Sequence, residues 1–214
     1  MHAKAQRCSG SGKTRNLHIQ KHSKANADAV IQMLQEYYAQ FGYGVCEEED
    51  AELSLAILDA GDSAWISVYS DFFEDPQDRE ALGRWLSHSE KLRVLDIGCF
   101  DSDVLGLILY NPEDEEPAQA ATGFMAKDMG ISLEHEAGWL TVIPDLTAFC
   151  EVINADHVLA EEAMDELAGE LKLPSKYVKT DLEILAETAG SANVSRLYLS
   201  RNINRIKIMK SPVV

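Results

Sequence analysis

The chain has 214 residues, of which 46% are hydrophobic and 26% are charged, and this balance is typical of a globular protein with a sizeable core. No apolar run approaches the roughly 20 residues of a membrane-spanning helix, so we expect no membrane association. The basic N-terminus lacks the apolar segment of a secretory signal, and the four cysteines form no CxxC pair. These features predict a cytoplasmic protein with reduced thiols.

The net charge of −17 is unevenly distributed along the chain. Residues 1–24 and 191–214 carry six and five Lys or Arg and no acid, whereas residues 25–190 carry all 36 acids and only eight Lys or Arg. An acidic body repels the phosphates of nucleic acids, so we expect no nucleic-acid binding. The same charge favours association with a basic protein partner.

Two amphipathic helices are predicted in the first half of the chain. The first is capped by Asn26 or Asp28, repeats apolar residues at helical spacing and ends at Gly42, where a left-handed backbone is needed. We assign the aromatic residues at its end to the core. The second helix is capped by Asp75 and carries Pro76 at its first position, where the missing N–H costs nothing.

Two hairpins are predicted, because paired apolar runs flank short turns rich in Asp and Gly or Ser. The chain between 111 and 121 is expected to be an acidic loop. The hairpin strands are 53–58 with 64–69 and 92–99 with 104–110. Further short strands are predicted at 17–19, 194–199 and 203–209, and residues 139–143 are predicted to form a short strand or an extended segment.

These elements predict an α+β fold with an antiparallel or mixed β-sheet, helices packed on one face, and a helical C-terminal part. Helices are expected there at 145–152, 156–171 and 180–188. The predicted organisation is a disordered basic N-terminus (1–15), an α+β sheet domain (16–143), a helical segment packed on it (144–190), and basic C-terminal strands or a tail (191–214).

Two motifs resemble nucleotide or cofactor loops but lack essential residues. The run VLDIGC (94–99) matches a class I methyltransferase motif at Asp96 and Gly98, yet Phe100 and Ser102 stand where two further glycines are needed. The run SGSGKT (9–14) ends like a P-loop, but the first glycine position holds Arg7. Neither motif predicts a cofactor.

A divalent-cation site is the remaining candidate. Asp101 and Asp103 lie in the turn of the second hairpin, and Asp71 ends a strand expected to lie beside it. Three carboxylates at adjacent strand ends suit Mg²⁺ or Ca²⁺. The alternative is a purely structural turn, because Asp and Ser side chains bond nearby backbone N–H groups. An EF-hand is excluded, since Leu105 and Pro112 occupy liganding positions.

One family resemblance covers roughly residues 25–175. The strand WISVY (65–69), a helix, and then DSDVL (101–105) leading to Leu109 and Tyr110 resemble an uncharacterised group of bacterial cytosolic proteins. That group is marked by a W-x-S-V-Y strand and a DSD-hydrophobic-LY strand. The resemblance implies a bacterial cytosolic protein and no particular activity.

Two functions follow as hypotheses. The acidic body, together with the lack of a competent catalytic motif, favours a non-enzymatic protein-interaction module, similar in role to an immunity protein or antitoxin that covers a basic effector. The alternative is a metal-dependent enzyme or regulator that uses Asp71, Asp101 and Asp103.

Overall fold

The computed structural model describes residues 13–23, 25–100, 103–123, 133–143, 145–155, 160–174, 178–179, 182, 185 and 194–201. These residues contain one antiparallel sheet of nine strands, in the order β2-β9-β3-β4-β1-β5-β6-β7-β8. The strands are β1 (Lys13–Gln20), β2 (Gly44–Val45), β3 (Leu53–Asp59), β4 (Trp65–Ser70), β5 (Val94–Phe100), β6 (Val104–Tyr110), β7 (Ala118–Thr122), β8 (Leu133–Glu134) and β9 (Val194–Ser200).

The helices begin at the capping residues that the sequence predicts. Asn26 accepts the N–H of Ala29 at 2.9 Å, and Asp75 accepts the N–H of Gln77 at 2.8 Å. No helix of the described residues is long and apolar enough to cross a membrane. The helices are α1 (Ala27–Ala39), α2 (Pro76–His88), α3 (Glu136–Trp139), α4 (Leu146–Asn154) and α5 (Ala160–Glu170), with 3-10 turns at Glu48–Asp50 and Asp71–Glu74.

The sheet is covered by helices on both faces, which corrects the prediction of helices on one face. Helices α1 and α2 pack on one face, where Val94 of β5 is buried. Helices α3, α4 and α5 pack on the other face, where Leu95 and Ile97 of the same strand are buried. When both faces of a strand are buried, consecutive residues along it tend to be apolar, and this explains why most residues of β5 are apolar.

The α+β class, the antiparallel sheet and both hairpins are confirmed. Strand β3 pairs with β4, and β5 pairs with β6 with Gly98 opposite Gly106. The predicted loop at 111–121 was wrong at its end, because Ala118–Thr122 forms β7 despite its small side chains. The predicted strand at 139–143 was also wrong, since α3 ends at Trp139 and a turn follows.

The N-terminal boundary also differs from the prediction. Residues 13–15, assigned to the disordered terminus, belong to β1, which lies at the centre of the sheet between β4 and β5. The predicted strand at 194–199 is confirmed as β9. Residues 1–12, the start of the helix at 156, most of the helix at 180–188 and the strand at 203–209 lie outside the described residues.

Candidate interaction surface

The predicted cation site is only partly described. Asp71 follows β4, and its carboxylate accepts the N–H of Ser54 and the hydroxyl of Ser70, each at 3.4 Å. Asp103 follows β5 and donates its N–H to the carbonyl of Phe100 at 2.9 Å. Because β1 lies between β4 and β5, these two carboxylates are not at adjacent strand ends as expected.

Asp101, the third predicted ligand, lies outside the described residues. Within the part of the chain that is described, no three His, Cys, Asp or Glu side chains are grouped so that they could hold a metal ion. The site at Asp71, Asp101 and Asp103 therefore stays a prediction, and the arrangement of the two described carboxylates does not support it.

The carboxylate of the methyltransferase-like motif has a structural partner. Asp96 lies in the middle of β5 and is 3% exposed, and Arg79 of α2 donates through Nε to both of its oxygens at 3.1 Å. Burial raises the pKa of Asp96, while the positive charges of Arg79 and Arg15 oppose that rise. The geometry is that of a buried ion pair that joins α2 to β5.

A buried histidine and serine also lie inside the sheet. The Nδ1 atom of His18 is 2.8 Å from the hydroxyl of Ser67, and both residues are 0% exposed. Burial lowers the pKa of His18 to about 3, so the ring is neutral in the folded protein. Substrate has no access to a pair at this depth, so we assign it to the core.

An open cavity of about 430 Å³ lies beside the start of α1 and is lined partly by Asp59 and Ser195. The Asp59 carboxylate is already paired with Lys21 Nζ at 2.6 Å. The same ammonium donates to the carbonyl of Ala60, also at 2.6 Å. The charge of Asp59 at the cavity is therefore neutralised by Lys21 and does not by itself select a cationic ligand.

A different site is formed by aromatic side chains at the C-terminal end of α1. Tyr37 is the centre of the cluster, with ring centroids 5.1 Å from Tyr38, 5.2 Å from Phe41 and 5.3 Å from Trp85 of α2. Tyr43, just before β2, lies 6.0 Å from Tyr38. Edge-to-face contacts, such as those of Tyr37 with Tyr38 and Phe41, each contribute about 0.5–1.5 kcal/mol beyond the area buried.

One part of this cluster is exposed, although its place at the end of the apolar stripe of α1 predicts that it is buried. Tyr37 and Tyr38 are buried, but Phe41 is 56% exposed and the nearby Val45 is 55% exposed. Gly42 has a φ of +83°, so the chain turns away from the helix immediately after Phe41. The position of Phe41 directly before the glycine that ends the helix is the feature of the sequence that could have predicted its exposure.

Acidic side chains lie beside the aromatic rings. Burial raises the pKa of Tyr37, and the negative charge of Asp78 raises it further. Burial also raises the pKa of Tyr38, with added contributions that include Asp78 and Asp71. Burial and the neighbouring Asp75 raise the pKa of Asp78 itself. Asp71 and Asp78 therefore act electrostatically on the buried tyrosines, and Asp75, the N-cap of α2, acts on Asp78.

An arginine of the chain already contacts this region. The guanidinium of Arg201, directly after β9, lies 4.5 Å from the ring centroid of Tyr43. The backbone N–H of Arg201 donates to a carboxylate oxygen of Glu52 at 3.3 Å. We define the aromatic–acidic surface as the region formed by Tyr37, Tyr38, Phe41, Tyr43, Val45, Glu52, Asp71, Asp75, Asp78 and Trp85.

The chain was compared with protein-family models, with curated proteins and with solved structures, and none of the three comparisons found a match.

Proposed function

We propose that this chain is a non-enzymatic protein-interaction module that binds a basic protein partner through the aromatic–acidic surface. Its role would be that of an immunity protein or antitoxin that covers a basic effector. The observation that supports this proposal is the contact between Arg201 and Tyr43, beside the Glu52 carboxylate. The ring of Tyr43 thus already stacks against one guanidinium, and the backbone of the same arginine bonds an acidic side chain.

The composition of the surface is that of a protein-binding site. Aromatic residues and arginine are the commonest energetic anchors of protein interfaces, and they tend to pair across them. Phe41 offers an exposed ring, and Asp78 offers a carboxylate near the same cluster. A partner arginine that stacks on Phe41 would gain about 0.5–2 kcal/mol from the cation–π contact, and the charge of Asp78 acts on Tyr37, which contacts Phe41.

The net charge of −17 contributes in a second way. A field of one sign steers an oppositely charged partner and raises the association rate, and this effect decreases as salt increases. The alternative function, a metal-dependent enzyme or regulator using Asp71, Asp101 and Asp103, receives no comparable support, since β1 separates the strands that carry Asp71 and Asp103.

The test uses a fluorescent arginine-rich peptide as a basic probe, with a lysine-rich peptide and a glutamate-rich peptide of equal length beside it. We expect tighter binding of the arginine peptide than of the lysine peptide, because lysine stacks less well on aromatic rings. The glutamate peptide is not expected to bind. Fluorescence anisotropy at low and high salt gives the three affinities.

Matched variants locate the binding site. Phe41→Ser should weaken binding of the arginine peptide by about tenfold, which corresponds to about 1.4 kcal/mol. Leu140→Ser is the control, because Leu140 is 52% exposed and follows α3 on the other face of the sheet. Likewise, Asp78→Asn should weaken binding, and Glu162→Gln on the exposed side of α5 should not.

Two results would contradict the proposal. The first is the absence of arginine-peptide binding at low salt. The second is an equal loss of affinity in each surface variant and its control, which would mean that the probe does not bind at this surface.

A further inference from the structure

We propose that the basic partner adds an extended segment, as a further β-strand, to the open part of β9 beside residues 194–197. This inference rests on the proposed function and deepens it, since it names the conformation of the partner and the edge of the sheet that receives it. The partner is then recognised through its backbone as well as through its arginine side chains.

Strand β9 is covered on its outer side over only part of its length. On its inner side, β3 pairs with it along almost the whole strand. On its outer side, β2 pairs only with Leu199 and Ser200. The chain leaves the sheet after Cys46, whose N–H donates to the carbonyl of Tyr198 at 3.0 Å. No strand of the described residues covers residues 194–197 on that side.

The uncovered part of β9 carries backbone groups that point outward. Alternate residues of an antiparallel strand form hydrogen bonds to opposite neighbours. The carbonyl of Leu199 accepts a backbone N–H from the β3 side, and the carbonyl of Tyr198 accepts one from the β2 side. Val194 and Arg196, which share the direction of Tyr198, therefore present their N–H and C=O groups at the open edge. Such groups are a template for pairing with another strand.

The register of an added strand predicts where its arginines lie. A partner residue directly opposite Arg196 shares the face of that side chain, and two positive charges in this arrangement repel each other. We therefore expect an uncharged residue there. The partner residues opposite Ser195 and Leu197 lie on the other face, which is the face of α1, where Leu197 is buried. Arginines are expected at these positions.

The face of α1 offers both space and continuity with the aromatic–acidic surface. The open cavity of about 430 Å³ lies at this edge, lined by Ala27 of α1 and by Val194 and Ser195 of β9. The exposed ring of Phe41 contacts Tyr37 of the same helix. Arginines of the added strand therefore lie on the same side of the sheet as Phe41, and Phe41→Ser is still expected to weaken binding.

The charges around this edge favour a basic partner over a second copy of the chain. Residues 47–50 are all acidic and exposed, and the 3-10 turn that they form packs against β9. Basic side chains of a partner complement these carboxylates. Two copies paired through β9 would instead bring together two chains that each carry a net charge of −17.

The first experiment determines which N–H groups of the partner are used. The probe is a fluorescent peptide in which Arg and Val alternate, compared with a form methylated at the valine amides and a form methylated at the arginine amides. Because valine is expected opposite Arg196, its N–H faces β9, and methylation of the valine amides should weaken binding about tenfold. Methylation of the arginine amides, which face away from β9, should change the affinity by less than about twofold.

The second experiment removes an outward donor from the protein. Arg196→Pro deletes an N–H at the open edge, a position where sheets tolerate proline, and should weaken binding of the alternating peptide about tenfold. Arg196→Gln is the control, because it keeps the N–H and removes a like charge, so its binding should become tighter. Thermal unfolding checks that each variant is folded, and the methylated peptides test the inference in the natural chain without any substitution.

Four outcomes would overturn the inference. These are no binding of the alternating peptide, equal affinities of the two methylated peptides, and undiminished binding by folded Arg196→Pro. The fourth is a dimer of the natural chain, detected by sedimentation, that Arg196→Pro abolishes, since a second copy would then be the occupant of the edge.

The two proposals fail in different ways. If the alternating peptide binds and Phe41→Ser weakens its binding, while methylation has the same effect at both sets of amides, the proposed function stands and this inference fails. If only methylation of the valine amides weakens binding and Phe41→Ser has no effect, the edge of β9 receives the peptide and the aromatic–acidic surface fails as the binding site.

Discussion

Arg79 and Asp96 form an ion pair inside the protein, with their side chains 5% and 4% exposed. The guanidinium Nε contacts both carboxylate oxygens at 3.1 Å, and Nη1 donates to the backbone carbonyl of Phe73. One side chain of α2 thus links β5 to the 3-10 turn that carries Asp71. The pair holds α2, which contributes Asp78 and Trp85, in its position beside the aromatic cluster.

Arg79→Met should lower the free energy of unfolding by about 3–5 kcal/mol, because it leaves the Asp96 carboxylate buried without its partner. Arg84→Met is the control, since Arg84 is 33% exposed and its pair with Glu80 is a surface pair worth about 0–1 kcal/mol. Urea unfolding at neutral pH measures both. Equal losses of unfolding free energy in the two variants would contradict the assignment of Arg79 as the partner that the buried Asp96 carboxylate requires.

The pH dependence of stability distinguishes the loss of the charged partner of Asp96 from a simple loss of packing. Without Arg79, the pKa of Asp96 should lie even further above its unfolded value, so the folded state binds a proton that the unfolded state does not bind. The deficit of Arg79→Met relative to the natural chain should therefore shrink as the pH falls from neutral. A deficit that stays constant with pH would show that packing, and not charge, is lost.

His18 should make the protein acid-sensitive. Below pH 6.5 the unfolded state takes up a proton, whereas the buried ring stays neutral down to a pKa of about 3. Stability should therefore fall by up to about 1.4 kcal/mol per pH unit in that window. Between pH 6.5 and 4.5, the natural chain should lose about 2 kcal/mol more than His18→Gln. Parallel pH profiles for the two proteins would refute this.

Gly123 should be far less replaceable than Gly42. Both have positive φ, of +108° and +83°, but a Cβ at Gly123 would lie 2.3 Å from the carbonyl oxygen of Asp103, whereas a Cβ at Gly42 meets nothing within 4 Å. Gly42→Ala should cost about 1–2 kcal/mol for the backbone alone. Gly123→Ala should cost several kcal/mol, since the strands must also move apart. Thermal unfolding compares the two, and equal costs would contradict the close approach.

A comparison of Trp65 with Trp139 isolates the contribution of one hydrogen bond to the free energy of unfolding. Both are buried, but Trp65 Nε1 donates to the carbonyl of Leu171 at 2.6 Å, whereas Trp139 Nε1 has no acceptor among the described residues. Trp65→Phe leaves that carbonyl without its donor and should cost about 1–3 kcal/mol more than Trp139→Phe. Chemical unfolding measures the difference, and the opposite order would exclude the proposed role of the bond.

Local sequence patterns predict one part of the candidate surface and miss another. The stripe of α1 correctly places Tyr37 and Tyr38 in the core. It fails for Phe41, because periodicity holds only while the helix continues, and Gly42 turns the chain one residue later. The contact of Arg201 with Tyr43 joins residues far apart in the chain, and no local pattern contains it.

The sequence by itself determined the features that depend on near neighbours. The caps at Asn26 and Asp75 are local hydrogen bonds, and the hairpin turns join strands only a few residues apart. Uneven charge and an α+β class follow from composition and order alone.

Only the tertiary structure decided the rest. The position of β1 at the centre of the sheet, the helices on both faces and the buried partner of Asp96 all depend on pairing between distant segments. Burial is a property of the assembled layers, so the basic start of β1, residues 13–15, was predicted to be a solvated tail, although β4 and β5 enclose the strand.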